Sequence, residues 1–63
     1  MTIDEARNGD ELLTALHAVP ADMRETALAG RGVKILREAA DLCGVESETL
    51  TKRQAIAAIT ENF

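Results

Sequence analysis

The sequence predicts an all-α fold, a small domain of four helices, and three observations carry that expectation. Alanine, leucine and glutamate recur, while Phe63 is the only aromatic residue of the chain; a sheet domain draws more heavily on Val, Ile, Tyr, Phe and Trp. The apolar residues return at spacings of three and four, the period of a helix face. Helix start signals and stop signals also alternate along the chain, with Pro20 as the single proline.

Residues 1–7 have no useful period and are expected to fray. The first helix starts at Asn8-Gly9-Asp10-Glu11, where Asn8 can cap free backbone N–H groups and Glu11 can reach back to the Asn8 N–H. Leu12, Leu13, Leu16 and Val19 form one stripe, and the helix should end near Ala18, because a residue preceding proline avoids helical geometry. Pro20 opens the second helix, where its missing N–H costs nothing. Met23, Ala27 and Leu28 are its inward candidates, and Gly30 suits a left-handed C-terminal cap. The pair Gly30 and Gly32 flanking Arg31 reads as a helix joint; a single unit is too little for an RGG-type nucleic-acid tract.

The third helix is expected over 33–43, with Val33, Leu36, Ala39, Ala40 and Cys43 inward and Ile35 and Leu42 on a second flank. Gly44 is its natural cap, and Val45 can fold back onto the helix as the apolar partner of that cap. Glu46-Ser47-Glu48 makes a polar connector and Leu50 an anchor. Thr51-Lys52-Arg53-Gln54 then forms a capping box for a fourth helix carrying Ala55, Ile56, Ile59 and Phe63. The domain division that follows is a flexible 1–7, then one helical domain over 8–63, made of a helical pair (8–29) and a second half (33–63).

A chain of 63 residues is one domain at most, and at this size only about 60% of the unfolded surface is hidden on folding. Cys43 has no second cysteine to pair with, and Cys43 with His17 falls short of the four ligands of a structural zinc site. Helix packing or self-association must support so thin a core. No apolar run approaches the roughly 20 residues that span a bilayer, and the start lacks the basic-then-apolar order of a secretory signal. With a lone thiol, this predicts a cytoplasmic protein. The net charge is −4, against a general polyanion binder, but it is unevenly spread. Residues 1–29 hold two cations and six carboxylates, residues 30–63 five of each.

Residues 36–59 carry a further pattern. Leu36, Ala40, Gly44, Val45, Leu50, Lys52, Ile56, Ala58 and Ile59 match an apolar helix, a glycine–apolar cap, a short extended link, and a second helix opening Leu-x-Lys. This resembles the helix–extended–helix motif of SAP and LEM-like domains, and most closely the Rho N-terminal-like domain, over roughly the C-terminal half of the chain. Ala39 and Ala55 stand where that family usually has Leu or Ile. The loss of buried methylenes, about 0.8 kcal/mol each, calls either for closer helices or for the first two helices to pack over the gap; the second is expected, since Leu12, Leu13, Leu16 and Met23 otherwise lack partners.

The resemblance implies a non-enzymatic module that docks on a macromolecule, with nucleic acid as the first expectation. Arg31, Lys34 and Arg37 at the start of the third helix, and Lys52 and Arg53 at the start of the fourth, are the candidate phosphate contacts. No aromatic platform for stacking bases accompanies them, Phe63 being the last residue of the chain. The rival is a protein–protein adaptor or structural accessory acting through a partner protein or a second copy. Arginine outnumbers lysine five to two, which with the abundant alanine suggests a high-GC genome such as an actinobacterial one, and so short a chain suggests a bacteriophage source; the site of action would then be the host cytoplasm or the virion. The criterion between the two is spatial: a continuous cationic face free of carboxylates favours nucleic acid, and one interrupted by Glu38, Glu46 and Glu48 favours the adaptor. Cys43, on the apolar stripe at the wrong helix end to stabilise a thiolate, reads as core, and His17 as a helix-boundary residue. Asp4/Glu5 and Asp10/Glu11 are adjacent pairs that diverge on a helix. No catalytic residues, cofactor, metal or small-molecule substrate are expected.

Overall fold

The first helix starts where a side-chain acceptor meets the free N–H groups of a first turn. In the computed structural model, which describes residues 2–63, the Asn8 side chain accepts from the Glu11 N–H at 2.8 Å and opens α1 (Gly9–Leu16). Glu11 does not return to the Asn8 N–H as the sequence predicts; its carboxylate accepts from the Arg7 N–H at 2.9 Å, one residue further out. The helix also stops two residues before Ala18. Ala18 and Val19 donate to Ala15 and Leu16, three residues back, so the last turn tightens before Pro20.

Pro20 opens a three-residue 3-10 turn, Ala21–Met23, rather than an α-helix, and α2 (Arg24–Ala29) follows. That turn changes the helical phase, since a 3-10 turn takes three residues and not 3.6. The inward face differs from the expected one at Met23, which is 53% exposed, while Leu28 is fully buried as expected and Ala27 half-buried. Gly30 is a second correction. Its φ is −79°, ordinary right-handed geometry, and the chain turns through i→i+3 bonds from Gly30 to Ala27 and from Arg31 to Leu28. Gly32 is the extended residue before α3 (Val33–Leu42).

The end of α3 is as the sequence predicts. Gly44 has a φ of +87°, the one positive φ among the described residues. The Val45 N–H reaches back to Ala40 O and the Gly44 N–H to Asp41 O, the two bonds of a Schellman cap. Gly44→Ala should therefore cost about 1–2 kcal/mol, the penalty of left-handed geometry for an L side chain. Open space surrounds the added methyl, so no clash contributes. A urea titration should show a lowered midpoint, with Gly44→Asn in between; an unchanged midpoint would mean that the residue is not left-handed in solution.

From Val45 the chain runs without helix or strand to Thr51, with Val45 and Leu50 packed on the core. Thr51 Oγ1 accepts from the Gln54 N–H, Gln54 Oε1 accepts from the Thr51 N–H, and α4 (Lys52–Asn62) begins.

The four helices, with no strand among the described residues, enclose one core. α3 packs on α4, α1 packs on α3, and α2 packs on α4, so the first two helices cover the second half within one chain. The Cα radius of gyration, 9.9 Å, lies slightly under the roughly 10.6 Å expected for this length. Leu12, Leu16, Leu28, Leu36 and Ile59 are the large residues fully sealed from water. Six of the twelve buried apolar residues are alanines: Ala6, Ala15, Ala39, Ala40, Ala55 and Ala58. At Ala39 α1 lies directly against the backbone of α3. Its Gly9 lies so close that a Cβ would stand 2.6 Å from the Ala39 nitrogen.

Residues 2–7, expected to fray, instead form a turn packed on the domain; Met1 lies outside the described residues. Thr2 donates to the Glu5 carboxylate from both its N–H and its hydroxyl, Ile3–Glu5 makes a 3-10 turn, and Ala6 is 2% exposed. The Thr2 hydroxyl holds the Glu5 carboxyl below its usual range. What fastens this segment is Arg31.

Candidate functional site

Each of the five cations singled out in the sequence has a different setting. Arg31, at the joint between α2 and α3, points into the N-terminal segment. Its two terminal nitrogens donate to Asp4 O and Ala6 O, both at 2.8 Å, and its Nε is buried without a partner. A guanidinium occupied by two carbonyls acts as a structural clamp between the joint and the N-terminal segment. The planar fork of arginine lets one side chain close a gap of more than twenty residues with two charge-assisted bonds.

Arg37 is partly engaged as well. Its Nε donates to Leu50 O at 2.6 Å, which ties α3 to the residue just before the Thr51 cap. This holds Arg37 near the foot of α4, where Lys52 is the first helical residue. Lys34 is exposed on the outer face of α3. Glu38 and Asp41, one and two turns further on, are exposed on the same stripe, and residues at these spacings are surface neighbours. Arg53 turns the other way, into a groove between α2 and α4 that Glu25 also lines. Glu46 and Glu48 are exposed in the link. The structure thus brings Arg37 and Lys52 to one end of α4. It sets Lys34 among carboxylates, directs Arg53 towards α2, and uses Arg31 inside the fold.

Phe63 is half-buried and already covered. The His17 ring lies 4.5 Å from it, centroid to centroid, and the Arg24 guanidinium sits 4.8 Å above its face, within the range of a cation–π contact. Arg24 Nε also donates to Val19 O at 3.1 Å. His17, read as a boundary residue, caps the end of α1. Cys43 is half-buried rather than sealed in the core, and burial pushes its thiol pKa up, which lowers the thiolate fraction a nucleophile needs.

Among the described residues no three of His, Cys, Asp and Glu gather as metal ligands, and no helix is long and apolar enough to cross a membrane. A groove of about 320 Å³ between α2 and α4 is lined by Glu25, Ala29, Arg53, Ile56, Ala57 and Thr60. It holds one carboxylate and one guanidinium at its edges and no nucleophile with an adjacent base. Fold and surface together define a small all-helical domain with a mixed-charge exterior. Compared with family models, curated proteins and solved structures, the chain matches none.

Two features of the structure go beyond what the sequence predicts. Thr2-Ile3-Asp4-Glu5 carries the Thr-x-x-Glu spacing of a capping box, a local signal that could have found the first turn. The Arg31 clamp leaves no local trace, because its acceptors are backbone carbonyls 25 and 27 residues away.

Proposed function

We propose that this chain is a non-enzymatic docking module, and that it docks on protein rather than on a nucleic-acid backbone. The α3–Gly44–link–α4 arrangement, with Val45 and Leu50 pegged on the core, supports the helix–extended–helix reading and with it a binding role. The dispersal of the cations carries the choice of partner. Phosphate binding needs several free cations on one surface; here Arg31 is bonded to backbone, Arg37 is partly so, and Lys34 shares its stripe with Glu38 and Asp41. A surface of interspersed charge with a net −4 suits a protein partner, for which complementary charge sets register and excludes wrong partners.

Fluorescence anisotropy of a labelled DNA duplex and of a single-stranded RNA, titrated with the chain at low salt, tests this directly. The expected result is no rise for either. A salt-sensitive rise that Lys52→Glu with Arg53→Glu removes, at unchanged helical content, would overturn the protein reading and make the foot of α4 a phosphate site.

A further inference from the structure

The α2–α4 groove has a property that the docking reading alone does not use. Its walls carry opposite charges, Glu25 from α2 and Arg53 from α4. Both are exposed. Between them the lining is small or apolar. Ala29 and Ala57 are exposed alanines, and Ile56, 8% exposed, forms part of the lining. Small residues on a helix surface let a second helix approach closely.

An acid on one wall and a base on the other make the surface complementary to itself. A two-fold operation exchanges the walls: residue i of one copy meets residue j of the other, and j meets i. With the axis alongside α4, the wall bearing Glu25 in one copy faces the wall bearing Arg53 in the other. We propose that this groove is the face on which two copies of this chain pair, Arg53 of each against Glu25 of the other. The inference rests on the protein-docking reading and names its partner. A purely acidic or purely basic partner would satisfy one wall and be repelled by the other, whereas a second copy offers each wall the opposite charge. Pairing also buries apolar surface for a chain too short to hide much of its own.

The test is a charge exchange read by light scattering and sedimentation across a concentration series. The native chain should move from monomer to dimer as concentration rises. Glu25→Arg sets two guanidinium groups against each other at both contacts, and Arg53→Glu does the same with two carboxylates. Each alone should weaken pairing at least about tenfold, because like charges in contact are strongly disfavoured. An equimolar mixture of the two variants should pair again, as should the chain carrying both changes, since either case restores opposite charges at both contacts. Both positions are exposed, so circular dichroism should show helical content retained. Ala57→Leu, which fills the groove centre and brings no charge, supplies an independent disruption. A native chain monomeric throughout, single variants that pair as the native chain does, or a mixture that fails to pair would each overturn the proposal. A monomeric result leaves docking on a different protein standing, whereas salt-sensitive duplex binding overturns the docking reading itself.

Discussion

Leu36→Ala should leave most of the chain unfolded. Leu36 is fully buried on α3, the helix that packs on both α1 and α4, so its loss loosens two interfaces. Truncating a buried leucine to alanine costs about 2–5 kcal/mol, more where the surroundings cannot collapse into the void. Ala39, Ala40, Ala55 and Ala58 belong to the same core, and alanine has no rotamer with which to reach across a gap. The cost therefore belongs at the upper end of that range, while a core in a domain of this size supplies roughly 3–5 kcal/mol in total. Far-ultraviolet circular dichroism without denaturant should show most of the helical signal gone, and Leu36→Met, which conserves volume, should keep it at a cost under about 1.5 kcal/mol. A Leu36→Ala chain with a native urea midpoint would mean that the α1–α3 and α3–α4 interfaces do not share one core.

The second large effect reverses a familiar sign. Glycine within a helix is ordinarily worse than alanine by about 0.8–1 kcal/mol, so Gly9→Ala at the start of α1 would be expected to stabilise. Here the new Cβ would lie 2.6 Å from the Ala39 nitrogen, 2.7 Å from the Glu38 carbonyl carbon and 2.9 Å from Glu38 Cγ. Two of those atoms are backbone and cannot swing away, so α1 must retreat from α3. Overpacking of this kind costs about 1–3 kcal/mol. Gly30→Ala is the natural comparison. Its φ is −79° and the nearest atom to its added Cβ is 3.6 Å away, so it should gain about 0.4–1 kcal/mol by restricting the unfolded chain. Thermal melts of the two variants should shift in opposite directions. A Gly9→Ala chain as stable as the native one would show that α1 does not lie against α3 this closely.

What the sequence makes legible divides along the range of the interactions. The Asn8 cap, the Gly44 cap and the Thr51–Gln54 box are written in residues within four or five positions of one another, and they mark helix ends wherever they fold. The all-helical class follows from them and from the apolar period. The exposure of Met23 departs from the sequence expectation because the 3-10 turn after Pro20 alters the phase of everything downstream by a fraction of a turn. Gly9 and Arg31 are illegible for a different reason: each acts on backbone far along the chain, through contacts that exist only once α1 lies on α3 and the first residues lie against the joint. The candidate cations suffer most. Their spacing along α3 and α4 is visible, but whether a guanidinium faces water or a carbonyl is a tertiary fact, and for Arg31 and Arg37 the carbonyl wins.

The alanine content of the interior has a thermal consequence. Alanine has no side-chain torsion to freeze, so its burial incurs almost no rotamer entropy. It also removes little apolar area from water, and the heat-capacity increment of unfolding follows that area. A domain whose interior is half alanine by count should therefore have a small increment for its length, and a stability curve that is low and broad, changing slowly on either side of its maximum.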